Sequence, residues 1–259
     1  MTSATNPAAE VPELVLNDGN RIPQFGFGVF QIPPADTASA VRTALEAGYR
    51  HIDTAEMYQN EKGVGQGVRD AGVDRGKVFI TSKLNNGFHK PDDARRAFDT
   101  TIEALGFDYV DLFLIHWPLP TLYDGDFVST WQTLEEFKSD GRARSIGVSN
   151  FQVHHLERLA RDTETVPAVN QIEVHPYFQQ TMLQRLHAEH GISGWYSQGV
   201  TVAYERARGV RVELARVEVD AEGSVGEQRL HRHDVVVARP VGERAPSVAQ
   251  ANDHARIGT

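Results

Sequence analysis

The stretch GYRHIDTAEMYQNEKGVG, residues 48–65, contains a complete transition from one helix through a strand to the next helix. Gly48 follows an apolar helical pattern, HIDTA is a short apolar strand, and Asn60 begins a second helical pattern. The polar residues of this stretch allow three interpretations: a metal cluster, an acid–base site, or a polar strand end that runs into a charged helix. They are His51, Asp53, Glu56, Tyr58 and Glu61. The choice depends on what the rest of the chain places beside them.

The same alternation of strand and helix repeats along the chain. Apolar stretches rich in β-branched residues predict strands at residues 25–30, 51–55, 78–84, 110–116, 143–150 and 168–174. Helical patterns lie between and after them, at 36–47, 60–71, 92–105, 127–140, 152–162 and 181–190, with Asp36 as a predicted N-cap. Six βα units in order predict an α/β fold with a parallel sheet covered by helices. Ahead of them, ELVLNDGNRIPQ predicts a β-hairpin that turns at residues 17–19.

A doubly wound sheet is the main alternative to a barrel. Its dinucleotide-binding form usually carries G-x-G-x-x-G after the first strand, whereas this chain reads GFGVFQIPPAD there. Gly63, Gly65 and Gly67 do not fit that fingerprint either, and they lie inside a helical pattern. A (β/α)8 barrel of about 250 residues would use the whole chain of 259 residues. We therefore predict a TIM barrel with an N-terminal hairpin, of which the pattern identifies the first six units and leaves the last two unassigned.

The composition excludes several classes of function. A net charge of −9, from 26 basic and 35 acidic residues, argues against a nucleic-acid or anionic-membrane partner. The absence of cysteine excludes disulfides, thiolate metal sites and cysteine nucleophiles. The first ten residues resemble a short disordered start rather than a signal peptide, and no apolar run reaches about 18 residues. We therefore expect a cytoplasmic protein.

Polar residues mark the carboxyl ends of the predicted strands, which in a barrel face the active site. These residues are Asp53, Lys83, His116, Ser149 with Asn150, and Gln171 with Glu173. Each alone has an ordinary structural interpretation, such as a turn cap, a snorkelling lysine or a hydrogen-bonded core histidine. An ammonium, a carboxylate and an imidazole on one face, with the phenol of Tyr58 just after the second strand, together indicate a functional site.

The residue types suggest a proton-donating site. A phenol titrates near about 10 and is a poor acid at neutral pH, but a lysine cation beside Tyr58 would make its proton easier to release. Asp53 would hold Lys83 in place, and His116 could donate a hydrogen bond to the same developing oxyanion. This set protonates an oxygen but supplies no electrons, so carbonyl reduction would need hydride from a bound cofactor. Three side chains suit the carboxamide of a nicotinamide: Ser149, Asn150 and Gln171.

These motifs resemble those of the aldo-keto reductase family, in particular its bacterial members similar to 2,5-diketo-D-gluconate reductase. The matching segments are GYRHIDTAEMYQNEKGVG, FITSKL, LFLIHWP, GRARSIGVSNF and NQIEVHPY, in family order within residues 14–191. The resemblance implies a (β/α)8 barrel whose N-terminal hairpin closes the bottom. It also implies NADPH-dependent reduction of small aldehydes and ketones, and we expect a monomer.

The resemblance also assigns roles to individual residues. Tyr58 becomes the proton donor, Lys83 makes it more acidic, and Asp53 supports the lysine. His116 orients the substrate carbonyl, and Trp117 lines the substrate pocket. The nicotinamide would be held by Ser149, Asn150 and Gln171, with Tyr196 stacked on its ring. His51, Glu56 and Glu61 are then structural, so the opening stretch is interpreted as part of an acid–base site and not as a metal cluster.

The resemblance ends abruptly after residue 191. Trp195-Tyr196-Ser197 alone is similar to the expected seventh strand, and the family's Ile-Pro-Lys-Ser type motif for the cofactor 2′-phosphate is absent. We treat residues 1–259 as one barrel domain, family-like over 11–192. Residues 193–259 are either a divergent ending that still closes the barrel or the product of a shifted reading frame, and the abrupt change favours the second. In that case residues 169–174 would form an unpaired edge strand.

Two segments of this ending have strand-like patterns. VRVELARVEVD alternates and predicts a strand or hairpin, and DVVVARP predicts a buried strand. Arg239 and Arg244 are candidate phosphate contacts, although solvated surface charge is the more ordinary interpretation.

Two other functions remain open from the sequence. One is a barrel that binds nucleotide or a partner protein without turnover, which the altered ending favours and which loss of NADPH binding would support. The other is a metal-dependent barrel hydrolase that uses His51, Asp53, His116 and His175, although Lys83 has no role as a ligand in such a site. Metal analysis of the purified protein distinguishes the hydrolase from the reductase.

Overall fold

A computed structural model describes residues 11–175, 178–197 and 235–239 of the chain, with residues 196–197 and 235–239 described by their backbone alone. The N-terminal hairpin is present as predicted. Strands β1 (Glu13–Val15) and β2 (Arg21–Pro23) pair antiparallel, with Leu14 opposite Ile22. The predicted disordered start at residues 1–10 lies outside the described residues.

Eight strands after the hairpin form one closed barrel. Seven of them pair parallel to one another in chain order, each with the next. They are β3 (Phe25–Gly28), β4 (His51–Asp53), β5 (Phe79–Leu84), β6 (Val110–Ile115), β7 (Ala143–Ser149), β8 (Val169–Glu173) and β9 (Ser193–Ser197). The predicted α/β barrel is confirmed, and its first six strands lie within two residues of their predicted bounds.

The last barrel strand, β10 (Val235–Arg239), runs antiparallel to both of its neighbours, β3 and β9. A regular (β/α)8 barrel has only parallel strands there. The strand predicted in DVVVARP is thus confirmed, but the expected open edge at residues 169–174 is wrong. That segment pairs along its length with β9, from Val169 opposite Ser193 to Glu173 opposite Ser197, because closure removes edges that would leave backbone groups unpaired. The segment VRVELARVEVD lies outside the described residues.

Six helices follow the predicted positions to within two residues. They are α1 (Pro34–Glu46), α2 (Glu61–Asp70), α3 (Pro91–Leu105), α4 (Phe127–Ser139), α5 (Val153–Asp162) and α6 (Thr181–His190). The N-cap prediction for Asp36 is wrong, because α1 begins two residues earlier at Pro34. Proline suits the first helical position, where its fixed φ is already helical and its missing N–H needs no partner. Among the described helices, none is both long and apolar enough to cross a membrane.

The glycines of α2 serve close packing. A Cβ atom on Gly65 would overlap the carbonyl oxygen of Leu105 at the end of α3, and one on Gly67 would lie 2.6 Å from the carbonyl oxygen of Ala38 in α1. Any larger residue would push these helices apart, since packed interiors leave no room for an added methyl group. The repeated glycines therefore allow α2 to pack closely between its neighbours.

The hairpin closes the bottom of the barrel. Leu16 and Ile22 are buried in one cluster with strand side chains of the barrel interior, including Leu114 and Trp195. In the turn, Asn17 Nδ2 donates to the carbonyl oxygen of Pro167, just before β8, at 3.0 Å. The candidate site lies at the opposite rim, at the carboxyl ends of the parallel strands.

Candidate active site

Lys83 lies at the carboxyl end of β5 and is fully buried. Its Nζ donates to Asp53 Oδ1 at 2.7 Å and to the carbonyl oxygen of Thr54 at 2.8 Å. Burial disfavours the charge of this ammonium, but the Asp53 carboxylate and the Tyr58 phenol oxygen outweigh burial and leave the pKa of Lys83 above its ordinary value. The lysine is therefore a cation at neutral pH.

Tyr58 lies beside this ion pair, with its hydroxyl oxygen 3.4 Å from Lys83 Nζ. A single 3-10 turn after β4, Glu56–Tyr58, carries the residue to the rim of the barrel. The Tyr58 ring contacts His116 edge-on at a centroid distance of 5.8 Å and Phe30 at 4.9 Å. The structure thus brings the four predicted catalytic residues together.

His116 follows β6 and is buried, with only 9% of its surface exposed. Burial, reinforced by the charge of Lys83, lowers the pKa of His116 to about 3, so the imidazole is neutral. Its Nδ1 is buried and has no hydrogen-bond partner among the described residues. The next residue, Trp117, is 46% exposed and stands at the mouth of the barrel.

The predicted nicotinamide-binding residues form one connected cluster at the ends of β7 and β8. Asn150 Nδ2 donates to the His116 carbonyl oxygen and to Ser149 Oγ, each at 3.0 Å. Ser149 Oγ donates to the Gln171 carbonyl oxygen at 3.1 Å. Gln171 Nε2 in turn donates to Asp53 Oδ2 at 2.9 Å. The two predicted sets of residues are therefore joined by direct hydrogen bonds.

The remaining predicted contact, Tyr196, lies in β9 opposite Ile172. Its side chain is outside the described residues, so stacking on the nicotinamide stays a prediction. The two candidate phosphate contacts also stay predictions. Arg239 ends β10, but its side chain lies outside the described residues, as does the whole of Arg244.

His51 packs inside the barrel, away from the proposed catalytic residues. His51 Nε2 lies 2.8 Å from Thr81 Oγ1, and its ring centroid is 4.4 Å from that of Trp195 inside the barrel. Burial lowers the pKa of His51 to about 3. Over the described ranges, no group of three His, Asp or Glu side chains could hold a metal ion. The metal-dependent hydrolase therefore finds no ligand set there.

Two residues that the sequence did not identify lie next to the site without belonging to the proposed catalytic set. Asn60 is 1% exposed and binds Thr54 through its side chain, although its place before α2 suggested only a helix start. Ser82, next to Lys83, donates to Glu61 Oε1 at 2.5 Å. Burial raises the pKa of Glu61 to about 7, although the hydrogen bond from Ser82 lowers it. The only sequence signal for these contacts is a run of polar residues within an otherwise apolar βα unit.

Comparison with known proteins gives the family. The sequence profile described as "Aldo/keto reductase family" matches residues 24–194. An aldo-keto reductase of Mycobacterium sp. strain KMS is 47% identical over 203 residues, which cover 77% of this chain and 73% of that protein. The methylglyoxal reductase DkgA of Escherichia coli is 45% identical over 177 residues, 68% of this chain and 63% of that protein. 

A solved structure with a similar fold contains a bound cofactor. The Bombyx mori aldo-keto reductase in complex with NADP superposes with a TM-score of 0.67 at 39% identity, covering 72% of this chain and 66% of that one. Together with the profile match over most of the described residues, these similarities lead to one conclusion. The chain belongs to the aldo/keto reductase family.

Proposed function

We propose that this protein is an NADPH-dependent reductase that converts a small aldehyde or ketone to an alcohol, with Tyr58 as the proton donor. One observation carries the proposal: the buried ammonium of Lys83 lies between the carboxylate of Asp53, at 2.7 Å, and the hydroxyl of Tyr58, at 3.4 Å. The family is one of oxidoreductases that act on small carbonyl compounds.

The proton is transferred from Tyr58 to the substrate oxygen as that oxygen gains negative charge. The cation of Lys83 stabilises the phenolate that remains, and Asp53 keeps the cation in place with a charge-assisted hydrogen bond. A positioned general acid of this kind contributes roughly 10² to 10⁴ in rate.

His116 orients the carbonyl as a neutral donor. With a pKa of about 3 it carries one ring hydrogen at neutral pH. We assign the ring hydrogen to Nε2, from which it would be donated to the substrate oxygen, and leave the buried, unpartnered Nδ1 without hydrogen. Trp117, the next residue, has nearly half of its surface exposed and is therefore accessible to a substrate.

The cluster of Ser149, Asn150 and Gln171 fits a nicotinamide carboxamide in its hydrogen-bonding chemistry. Gln171 uses its amide nitrogen on Asp53 and Asn150 uses its own on His116, so both side chains offer carbonyl oxygens to the carboxamide N–H groups. The Ser149 hydroxyl would rotate from the Gln171 carbonyl to the carboxamide oxygen. The reduced nicotinamide, when bound, supplies hydride to the carbonyl carbon. The Bombyx mori relative with bound NADP supports this choice of cofactor.

The experiment is a cofactor titration followed by a turnover assay of the full chain. NADPH is expected to bind, and its oxidation is expected only when a carbonyl compound is added. Methylglyoxal, named for the Escherichia coli relative, is one substrate to test, and an aromatic aldehyde is another. Binding of NADPH without oxidation would instead favour a barrel that binds nucleotide without turnover. No binding would contradict the proposed cofactor and favour a barrel that binds another nucleotide or a partner protein. The cytoplasmic location and the monomeric state stay predictions.

A further inference from the structure

We infer that Asn60 is a positioning residue of this site: its side chain joins the turn that binds Lys83 to the loop that carries Phe30. The inference rests on the proposed function for its catalytic consequence. The contacts themselves rest only on the geometry of the described residues.

The Asn60 side chain is buried with both its amide nitrogen and its amide oxygen hydrogen-bonded. Its Nδ2 donates to the carbonyl oxygens of Val29 at 2.8 Å and Ile32 at 3.3 Å, and its Oδ1 accepts from Thr54 Oγ1 at 2.9 Å. Asn60 is 1% exposed and Thr54 is fully buried. Buried amides with every group satisfied fix one local arrangement, because any displacement leaves a polar group unpaired.

A helix cap would be the ordinary explanation for an asparagine at this position. Asn60 precedes α2, but its side chain makes no capping hydrogen bond. The amide instead reaches back to chain segments about 30 residues earlier, at Val29 and Ile32. The role of Asn60 is therefore to connect two loops.

The first of these connections leads to the lysine. Thr54 holds Asn60 with its side chain and Lys83 with its carbonyl oxygen, at 2.8 Å. The Asp53 carboxylate and the Thr54 carbonyl accept the two shortest hydrogen bonds of the ammonium. A shift of Thr54 would therefore move the cation relative to the Tyr58 hydroxyl.

The second connection leads to the mouth of the barrel. Val29 and Ile32 flank Phe30, which is 44% exposed and lies with its ring centroid 4.9 Å from that of Tyr58. The loop also contains Gln31 in the left-handed region, at a φ of 66°. A non-glycine residue in that conformation must be held by its surroundings, and the Asn60 amide binds the backbone on both sides of it.

The two connections have one consequence for the reaction. Asn60 sets the separation between the wall of the mouth, at Phe30, and the proton-donating pair, Tyr58 and Lys83. A misplacement of about 1 Å at a reacting group can lower a rate by about 10²-fold. We therefore expect loss of the Asn60–Thr54 bond to lower kcat more than it raises the KM for the carbonyl substrate.

The test removes one hydrogen bond at a time. Thr54→Val keeps the backbone carbonyl that binds Lys83 and deletes only the hydroxyl that binds Asn60, whereas Thr54→Ser keeps the hydroxyl. The matched control is Thr37→Val, because Thr37 is also fully buried and its hydroxyl donates to one carbonyl, that of Pro33, at 2.9 Å within α1. Thr54→Val should lower kcat by about tenfold or more with KM changed by less than about threefold. Thr54→Ser and Thr37→Val should stay within about threefold of the parent.

Amide hydrogen exchange gives a second readout that needs no turnover. In Thr54→Val, which loses one buried hydrogen bond, the amides of residues 29–32 should exchange roughly fivefold faster than in Thr37→Val. In Asn60→Ala, which loses three, they should exchange faster still. Equal exchange in all three variants would overturn the inference even if the parent reduces carbonyls normally. If the parent shows no reductase activity, the proposed function fails while the exchange result alone still decides the role of Asn60. A fall in kcat that Thr54→Ser does not restore would also overturn it.

Discussion

Gln171 donates its side-chain amide hydrogen to Asp53 across the barrel, from β8 to β4, with a distance of 2.9 Å between Nε2 and Oδ2. These strands lie four positions apart in a ring of eight, on opposite sides of the barrel. The other oxygen of the same carboxylate, Oδ1, accepts from Lys83. A residue proposed to bind the cofactor thus also fixes the carboxylate that holds the proposed catalytic lysine.

Because of this contact, we expect two substitutions in the proposed cofactor site to differ in their effect on kcat. Asn150→Ala and Gln171→Ala should each weaken NADPH binding by about 1 to 3 kcal/mol if the amide contacts are buried. Gln171→Ala should in addition lower kcat at saturating NADPH, because Asp53 loses one of its two side-chain partners. Fluorescence titration and steady-state kinetics measure the two effects. Unchanged cofactor titration in both variants would contradict the proposed nicotinamide position.

The Lys83–Asp53 pair predicts a large effect on stability as well as on activity. Lys83→Met should abolish reduction, because no cation then stabilises the Tyr58 phenolate. It should also lower the free energy of unfolding by roughly 3 to 5 kcal/mol, since it leaves a buried carboxylate without its charged partner. The double variant with Asp53→Asn should recover part of the stability but none of the activity. Urea unfolding measures the stability difference, and a double variant less stable than Lys83→Met would contradict the account.

Glu61 predicts a pH-dependent stability difference. Its folded-state pKa of about 7 is raised by burial, so the folded protein holds a proton at pH values where the unfolded chain has already lost it. The contribution is most favourable below the unfolded value of about 4.3 and is lost as the pH rises to about 7. Glu61→Gln removes this titration and keeps an acceptor for Ser82.

The measurement is thermal or urea unfolding of both proteins from pH 4 to 8. The stability of Glu61→Gln minus that of the parent should increase as the pH rises through this window, by at most roughly 4 kcal/mol. A difference that stays constant with pH would show that Glu61 does not titrate there. The difference also cancels the opposite trend of the buried histidines, whose lowered pKa values favour folding as the pH rises.

The ending of the chain gives a prediction about cofactor affinity. The sequence after β9 lacks the Ile-Pro-Lys-Ser type motif that the family resemblance implies for the 2′-phosphate. Replacement of residues 198–259 by the corresponding ending of the mycobacterial relative should therefore tighten NADPH binding and increase the preference for NADPH over NADH relative to the parent. Titration with both cofactors is the check. Equal NADPH affinity in parent and chimera would mean that the native ending supplies its own phosphate contacts.

The sequence predicted the strands and helices that have strong local signals. The β-branched runs around Ile80 and Phe113 and the glycines after α1 and α2 are such signals, and their elements begin and end within two residues of prediction. The start of α1 was placed at Asp36 because acidic residues commonly cap helices, whereas Pro34 decides the start. The antiparallel direction of β10 could not be predicted, because it depends on pairing with two strands far away in sequence.

In the candidate site too, residues with a local sequence signal could be predicted, and contacts between distant residues could not. Asp53, Tyr58, Lys83 and His116 were recognisable because their chemistry stands out at strand ends. The Gln171–Asp53 bond was not recognisable, because it joins residues 118 positions apart and depends on the diameter of the barrel. Asn60 was missed for a related reason: its position before a helix already has an ordinary explanation, and only the fold brings Val29 and Ile32 next to it.

The central claim, that Tyr58 donates the proton, is tested most directly by Tyr58→Phe. The substitution removes one hydroxyl and keeps the ring that packs on Phe30 and His116. NADPH affinity, measured by titration, should stay within about threefold of the parent, while kcat for aldehyde reduction should fall by roughly 10² to 10⁴. Near-parental turnover of Tyr58→Phe, with NADPH bound as tightly as before, would contradict the account.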